Sequence, residues 1–195
     1  MATAHLFIDY QNVHFTAWEC FTSYGTQVWE SLIHPGKFAD QISAARDARG
    51  FEHVDFTKIH VYRGHPSRRN EPTQHARVQR QASNWTRDRR VEMNLRPLRY
   101  PRDWPDEPAV EKGVDVHLAI QVAQAAMEKW ADVLIVATRD TDIVPALELV
   151  HKTDGVSLEL ATWAGQSELK LTQKTPVVRL DKGGYARSRD TNNYR

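Results

Sequence analysis

Apolar and polar positions along this chain follow two periods, and the switches between them outline an α/β protein. Leu6-Phe-Ile8 is a short apolar run that stops at Asp9, which predicts a buried strand opening into a turn. Phe15, Trp18, Phe21 and Tyr24 recur every three residues and read as core or as a cover over the sheet end. Pro35-Gly36 then opens a helix through Phe38, Ile42 and Ala45 that ends at Gly50. Lys58–Tyr62 alternates as a second strand. From Thr73 to Arg89, Ala76, Ala82 and Trp85 fall on one stripe with Arg77, Arg80 and Arg87 outside it, as in a basic amphipathic helix whose Trp85 is an anchor. Val91–Leu98 alternates as a third strand, and Pro97 places it at an edge.

Tyr100–Pro108 holds three prolines and reads as a loop. Val114, Leu118, Val122 and Ala125 then mark a helix over Glu111–Lys129. Asp132–Ala137 is apolar enough for a central strand. Ile143–His151 follows as a helix with Pro145 in its first turn, where the missing N–H is harmless. Val156–Trp163 and Val177–Asp181 supply two more strands. Strands alternating with helices predict a three-layer, Rossmann-like α/β sandwich around a mostly parallel sheet, with functional residues at the carboxyl ends of its strands.

The 195 residues, 41% of them hydrophobic, suffice for one domain with a substantial core, placed at residues 1–181. Residues 182–195 lack apolar content and are expected to form a mobile tail. The longest apolar run, Val133–Ala137, is five residues, and only Met1–His5 precede the first one, so neither a membrane span nor a signal peptide is expected and the chain reads as cytoplasmic. A single cysteine, Cys20, excludes an internal disulfide and any multi-cysteine zinc site.

Charge adds what the periodicity does not show. The net charge is +1, yet Arg63–Arg102 carries eleven Arg and no Lys against Glu71, Asp88 and Glu92. Such a block suits a polyanionic partner, and arginine favours forked contacts to phosphate. Arg77, Arg80, Arg87, Arg89 and Arg90 are its candidates for phosphate contacts. The acidic residues are as unevenly placed. Asp9 and Asn12 end the first strand, Asp115 opens a helix in Glu111-Lys-Gly-Val-Asp115, and Asp140 and Asp142 follow the central strand in Val136-Ala-Thr-Arg-Asp-Thr-Asp142. Taken singly, each carboxylate is also a plausible helix cap or first-turn residue. Gathered at one sheet edge they would repel one another unless a hard divalent cation lay between them, and such ions suit phosphate chemistry.

These three signatures, in this order, resemble those of the NYN domain, a branch of the PIN-like nucleases, over roughly Leu6 to Asp181. The resemblance implies a carboxylate-bound Mg²⁺ or Mn²⁺, a parallel sheet of about five strands and cleavage of RNA or another nucleic acid. Residue by residue, it carries to Asp9, Asp115, Asp140 and Asp142 as metal-binding and catalytic positions and to Asn12 as a neutral, water- or phosphate-orienting one, with Asp9 the central ligand. Lys112 and Arg139 become candidates for phosphate contact. The chain departs from the family at Thr138 and Arg139, where serine and glycine are frequent. Thr138 keeps the hydroxyl, whereas Arg139 brings a bulky cation that either binds phosphate or obstructs entry.

Two other readings stay open at this stage. One is a nucleic-acid-binding or regulatory module without turnover. The other is a phosphatase of the haloacid dehalogenase type, which would need an acid two residues after Asp9, where this chain has Gln11. A homodimer or a protein partner is compatible with the sequence.

Overall fold

The first strand cannot lie at a sheet edge, because both of its faces are apolar. Ala4, Leu6 and Ile8 point into one layer, Phe7 into the other, and all four are buried. The computed structural model, which describes residues 1–194, places that strand, β1 (Ala2–Asp9), in the middle of a six-stranded sheet. Its chain order continues through α1 (Tyr10–Phe21), α2 (Pro35–Ala48), β2 (Val54–His65), α3 (Pro72–Trp85), β3 (Val91–Pro97), α4 (Val114–Met127), β4 (Val133–Ala137), α5 (Val144–His151), β5 (Ser157–Trp163), β6 (Val177–Leu180) and α6 (Lys182–Ser188).

All neighbouring strands are parallel, in the order β3-β2-β1-β4-β5-β6. The α/β sandwich is therefore as expected, with one strand more than the family resemblance implied and with β3 at an edge. Ala17, Phe38, Ile42, Trp85 and Tyr185, from the α1, α2, α3 and α6 side, cover one face of the sheet. Leu118, Val122, Leu147 and Val150, from α4 and α5, cover the other. The chain changes face between β3 and β4, so β1 and β4 diverge to opposite layers at their carboxyl ends. A crevice opens at such a switch point.

The segment after Lys182, expected to be a mobile tail, is instead helical over Lys182–Ser188, and Ser188, Asp190 and Tyr194 are buried. Apolar content was the wrong criterion there, because polar contacts hold the segment. Trp85 Nε1 and the Tyr194 hydroxyl both donate to Asp190 Oδ2, at 2.6 and 2.7 Å. Trp85 is fully buried and anchors α3. The buried face of that helix is Val78, Gln81 and Trp85, with Ala76 and Ala82 only half-buried. No helix among the described residues is long and apolar enough to cross a membrane.

Candidate metal-binding cleft

Strand pairing brings the first and last acidic signatures together. Ile8 of β1 pairs with Ala137 of β4, so Asp9 and Thr138 leave the sheet side by side. Asp9 then caps α1, its Oδ1 accepting from the Asn12 amide at 3.2 Å. Its Oδ2 accepts from the Thr138 hydroxyl at 3.1 Å, and Thr138 Oγ1 accepts in turn from the Asp140 amide at 3.0 Å. Asp140 caps a 3-10 turn, Thr141–Ile143, by accepting from the Asp142 amide at 2.9 Å. Asn12 Oδ1 accepts from the Arg139 amide at 3.1 Å and ties the two loops together. Capping and a role in the cleft are thus not alternatives. A capping bond occupies one of a carboxylate's several acceptor sites and fixes its direction, leaving further lone pairs for a ligand.

The opposite wall departs from the expected helix. α4 begins at Val114, after Gly113 at φ +73°, a left-handed conformation that glycine adopts without strain. Asp115 lies in the first turn, whereas Glu111 and Lys112 belong to the approaching loop and share no helix face with it. Glu111 instead turns back to the sheet. Its Oε1 accepts from the Gly64 amide at 2.6 Å, and Gln11, with its amide nitrogen toward the carboxylate, donates to Oε2 at 2.8 Å. A Cβ on Gly64 would meet Glu111 Cγ at 2.7 Å and Leu98 Cδ2 at 2.3 Å, so only glycine admits this contact. Glu111 is a site residue that the motif reading passed over. The one sequence signal, its spacing of four from Asp115, assumed a helix that begins at Glu111, whereas α4 begins at Val114.

Carboxylate oxygens of Asp115, Asp140 and Asp142 all lie within 4.8 Å of one another. Asp9 stands beside this trio rather than within it. The surrounding cleft, about 590 Å³, is lined by Asp9, Glu19, Glu111, Asp115 and Asp140 against a single cation, Lys112. An all-oxygen, strongly negative donor set fits Mg²⁺ or Mn²⁺ and no soft metal. Burial pushes the Asp9 carboxyl up to about 6, the Glu111 and Asp140 charges add to the rise, and the Asn12 and Thr138 hydrogen bonds oppose it. Burial also raises Glu111 above the ordinary carboxyl range.

A carboxyl whose pKa rises on folding favours the fold below its unfolded value, here 3.8, and that contribution is lost as pH climbs through 6. Asp9→Asn keeps the capping acceptor and removes the charge. It should therefore raise the melting temperature of metal-free protein at about pH 7.5, by an energy on the order of 2–3 kcal/mol, with the gain shrinking toward about pH 4.5. Thermal melts in EDTA check this, and a loss of stability at the higher pH would contradict it.

The expected basic contacts separate into bound and open groups. Arg139 directs its guanidinium to the hydroxyl of Thr16 in the cleft wall, at 3.2 Å, and to Ser167 at 3.0 Å. Arg90 is paired with Asp88 at 2.8 Å and Asp40 at 2.9 Å, and Arg80 donates to the Tyr194 carbonyl at 2.6 Å. Both guanidinium groups thus already serve protein acceptors, Asp88 and Asp40 for Arg90 and the Tyr194 carbonyl for Arg80. Arg77 lies 5.9 Å over the Trp29 ring. Arg87, Arg89 and Lys112 are exposed. Arg63, first of the basic run, is inserted over Tyr10 and Trp85. Arg96 was not singled out, yet its guanidinium sits about 3.6 Å from where a Cβ on Gly113 would be, against the loop that carries Lys112.

The sequence model of the NYN domain matches residues 3–175. No curated protein matches the chain in sequence. Among solved structures, a protein of unknown function from Vibrio parahaemolyticus is similar, with a TM-score of 0.56 and 17% identity over 92% of this chain and 93% of that one. At that identity the likeness concerns the fold.

Proposed function

The chain belongs to the NYN domain family, and from that membership and the acidic cleft we propose that it is a divalent-metal-dependent ribonuclease. The observation that carries the reading is the trio Asp115, Asp140 and Asp142 within 4.8 Å, set beside Asp9 at the sheet switch point. Asp115, Asp140 and Asp142 would hold Mg²⁺ or Mn²⁺, with Asp9 beside them rather than as the central ligand. A bound ion of this kind lowers the pKa of a coordinated water and offsets charge on the phosphate oxygens during in-line displacement.

The residues of the chain do the rest. Thr138 fixes the direction of Asp9 through its hydroxyl. Asn12 uses its carbonyl oxygen on the Arg139 amide and can turn its amide nitrogen to a phosphate oxygen or a water. Glu111, held by Gly64 and Gln11, sets the loop from which Lys112 reaches the cleft and which leads into the first turn of α4 with Asp115. Lys112 is the cation lining that cleft and suits electrostatic contact with the substrate backbone, with Arg96 next to its loop. A module without turnover is the second reading, suggested by Arg139, whose guanidinium bridges Thr16 of the cleft wall and Ser167.

Incubation with labelled RNA and Mg²⁺ or Mn²⁺ should give cleavage that EDTA abolishes and added metal restores. RNA binding with no cleavage under either metal would replace the nuclease by the binding module.

A further inference from the structure

Trp29 is an exposed aromatic that the proposed chemistry leaves unused. It follows α1 in a short 3-10 turn, Val28–Glu30, and 43% of its surface is accessible. The Arg77 guanidinium lies 5.9 Å over its ring. Together they border a recess of about 280 Å³ whose other side is the polar segment Arg189–Tyr194. Arg189 donates from Nη2 to the Glu30 carbonyl and ties this polar rim to the Trp29 turn. An aromatic face, a guanidinium and a polar rim suit a nucleobase, since it combines a π-face with hydrogen-bonding edges.

The position of the recess relates it to the cleft. His14 Nε2 is 3.1 Å from the Val28 carbonyl and 3.0 Å from Ser31 Oγ, so the Trp29 turn is fastened to the flank of α1. The same helix is capped by Asp9 and presents Phe15, 40% exposed, in the cleft wall. The His14 and Phe15 rings are 5.6 Å apart. A strand crossing α1 from the carboxylates would pass Phe15 and then reach Trp29.

Resting on the nuclease reading, we infer that the Trp29–Arg77 recess accepts an unpaired base of the strand whose phosphodiester lies in the acidic cleft. The substrate class is then single-stranded RNA, or RNA with an unpaired flank. A duplex keeps its bases stacked and paired, and offers none to the recess.

The test compares parent, Trp29→Ala and Trp29→Phe on single-stranded oligonucleotides long enough to span both sites. Bis(p-nitrophenyl) phosphate with Mn²⁺ serves as a substrate too small to reach the recess. Trp29→Ala should raise KM for the oligonucleotide roughly 5- to 100-fold, the range expected for loss of one stacked base. It should leave hydrolysis of the small substrate unchanged, and Trp29→Phe should recover most of the loss. Unchanged KM and Kd for the oligonucleotide would overturn the base site while leaving the nuclease reading intact. If no form hydrolyses either substrate, the nuclease reading fails, and fluorescence anisotropy with the same oligonucleotide decides the base site by itself. Weaker binding by Trp29→Ala than by parent would then support it, and equal binding would overturn it.

Discussion

Asp140→Asn is expected to lower kcat/KM for RNA cleavage by about 10²–10³-fold or more, the range seen when one preorganised charge-stabilising group is removed from an active site. The substitution separates the two tasks of this side chain. Asn retains an oxygen that can accept from the Asp142 amide, so the 3-10 turn and the start of α5 keep their cap. What disappears is one of three mutually close negative charges. The loss should therefore appear in Mn²⁺ affinity and in turnover while the melting temperature of metal-free protein stays level or rises, because repulsion within the cleft is relieved. Calorimetric Mn²⁺ titration and cleavage assays check both parts. Turnover within tenfold of the parent would remove Asp140 from the catalytic set.

How much of this was readable beforehand depends on how local each cause is. The strands were legible because burial on both faces leaves continuous apolar runs such as Val133–Ala137, and because Leu6-Phe-Ile8 ends abruptly in a polar turn. The meeting of Asp9 with Asp140 was legible too, since carboxyl ends of parallel strands share one edge. Glu111 was not. Its place depends on a left-handed glycine two residues later and on space left by Gly64 in β2, 47 residues away in sequence. The partners of the arginines were hidden for a related reason. Periodicity shows which side of α3 faces outward, but it cannot show that Arg90 meets Asp40 or that Arg80 meets the Tyr194 carbonyl. The C-terminal segment was misread because it is held by hydrogen bonds to Trp85 and Arg80, and composition measures apolar burial alone.

A second large effect lies in the scaffold. Arg46 of α2 and Glu159 of β5 form a two-pronged pair, Nε to Oε2 at 2.8 Å and Nη2 to Oε1 at 2.9 Å, with side chains only 2% and 9% accessible. Arg46→Met would strand a carboxylate in the layer between helix and sheet, and breaking a buried pair from one side costs about 3–5 kcal/mol. For a chain of this length that corresponds to a fall in melting temperature of roughly 10 °C. The double variant Arg46→Met with Glu159→Leu should recover most of that loss, because the Coulomb attraction of a buried pair is largely offset by the desolvation of both charges. The third guanidinium nitrogen, Nη1, is already buried without a partner, which adds to the cost of keeping the arginine there. Glu159 sits near the amino end of β5, away from the edge that carries the carboxylates, so cleavage by the folded fraction at low temperature should change little in either variant. Thermal melts together with cleavage assays well below the transition separate the two effects. A double variant as unstable as Arg46→Met would show that the pair is worth more to the fold than its desolvation costs.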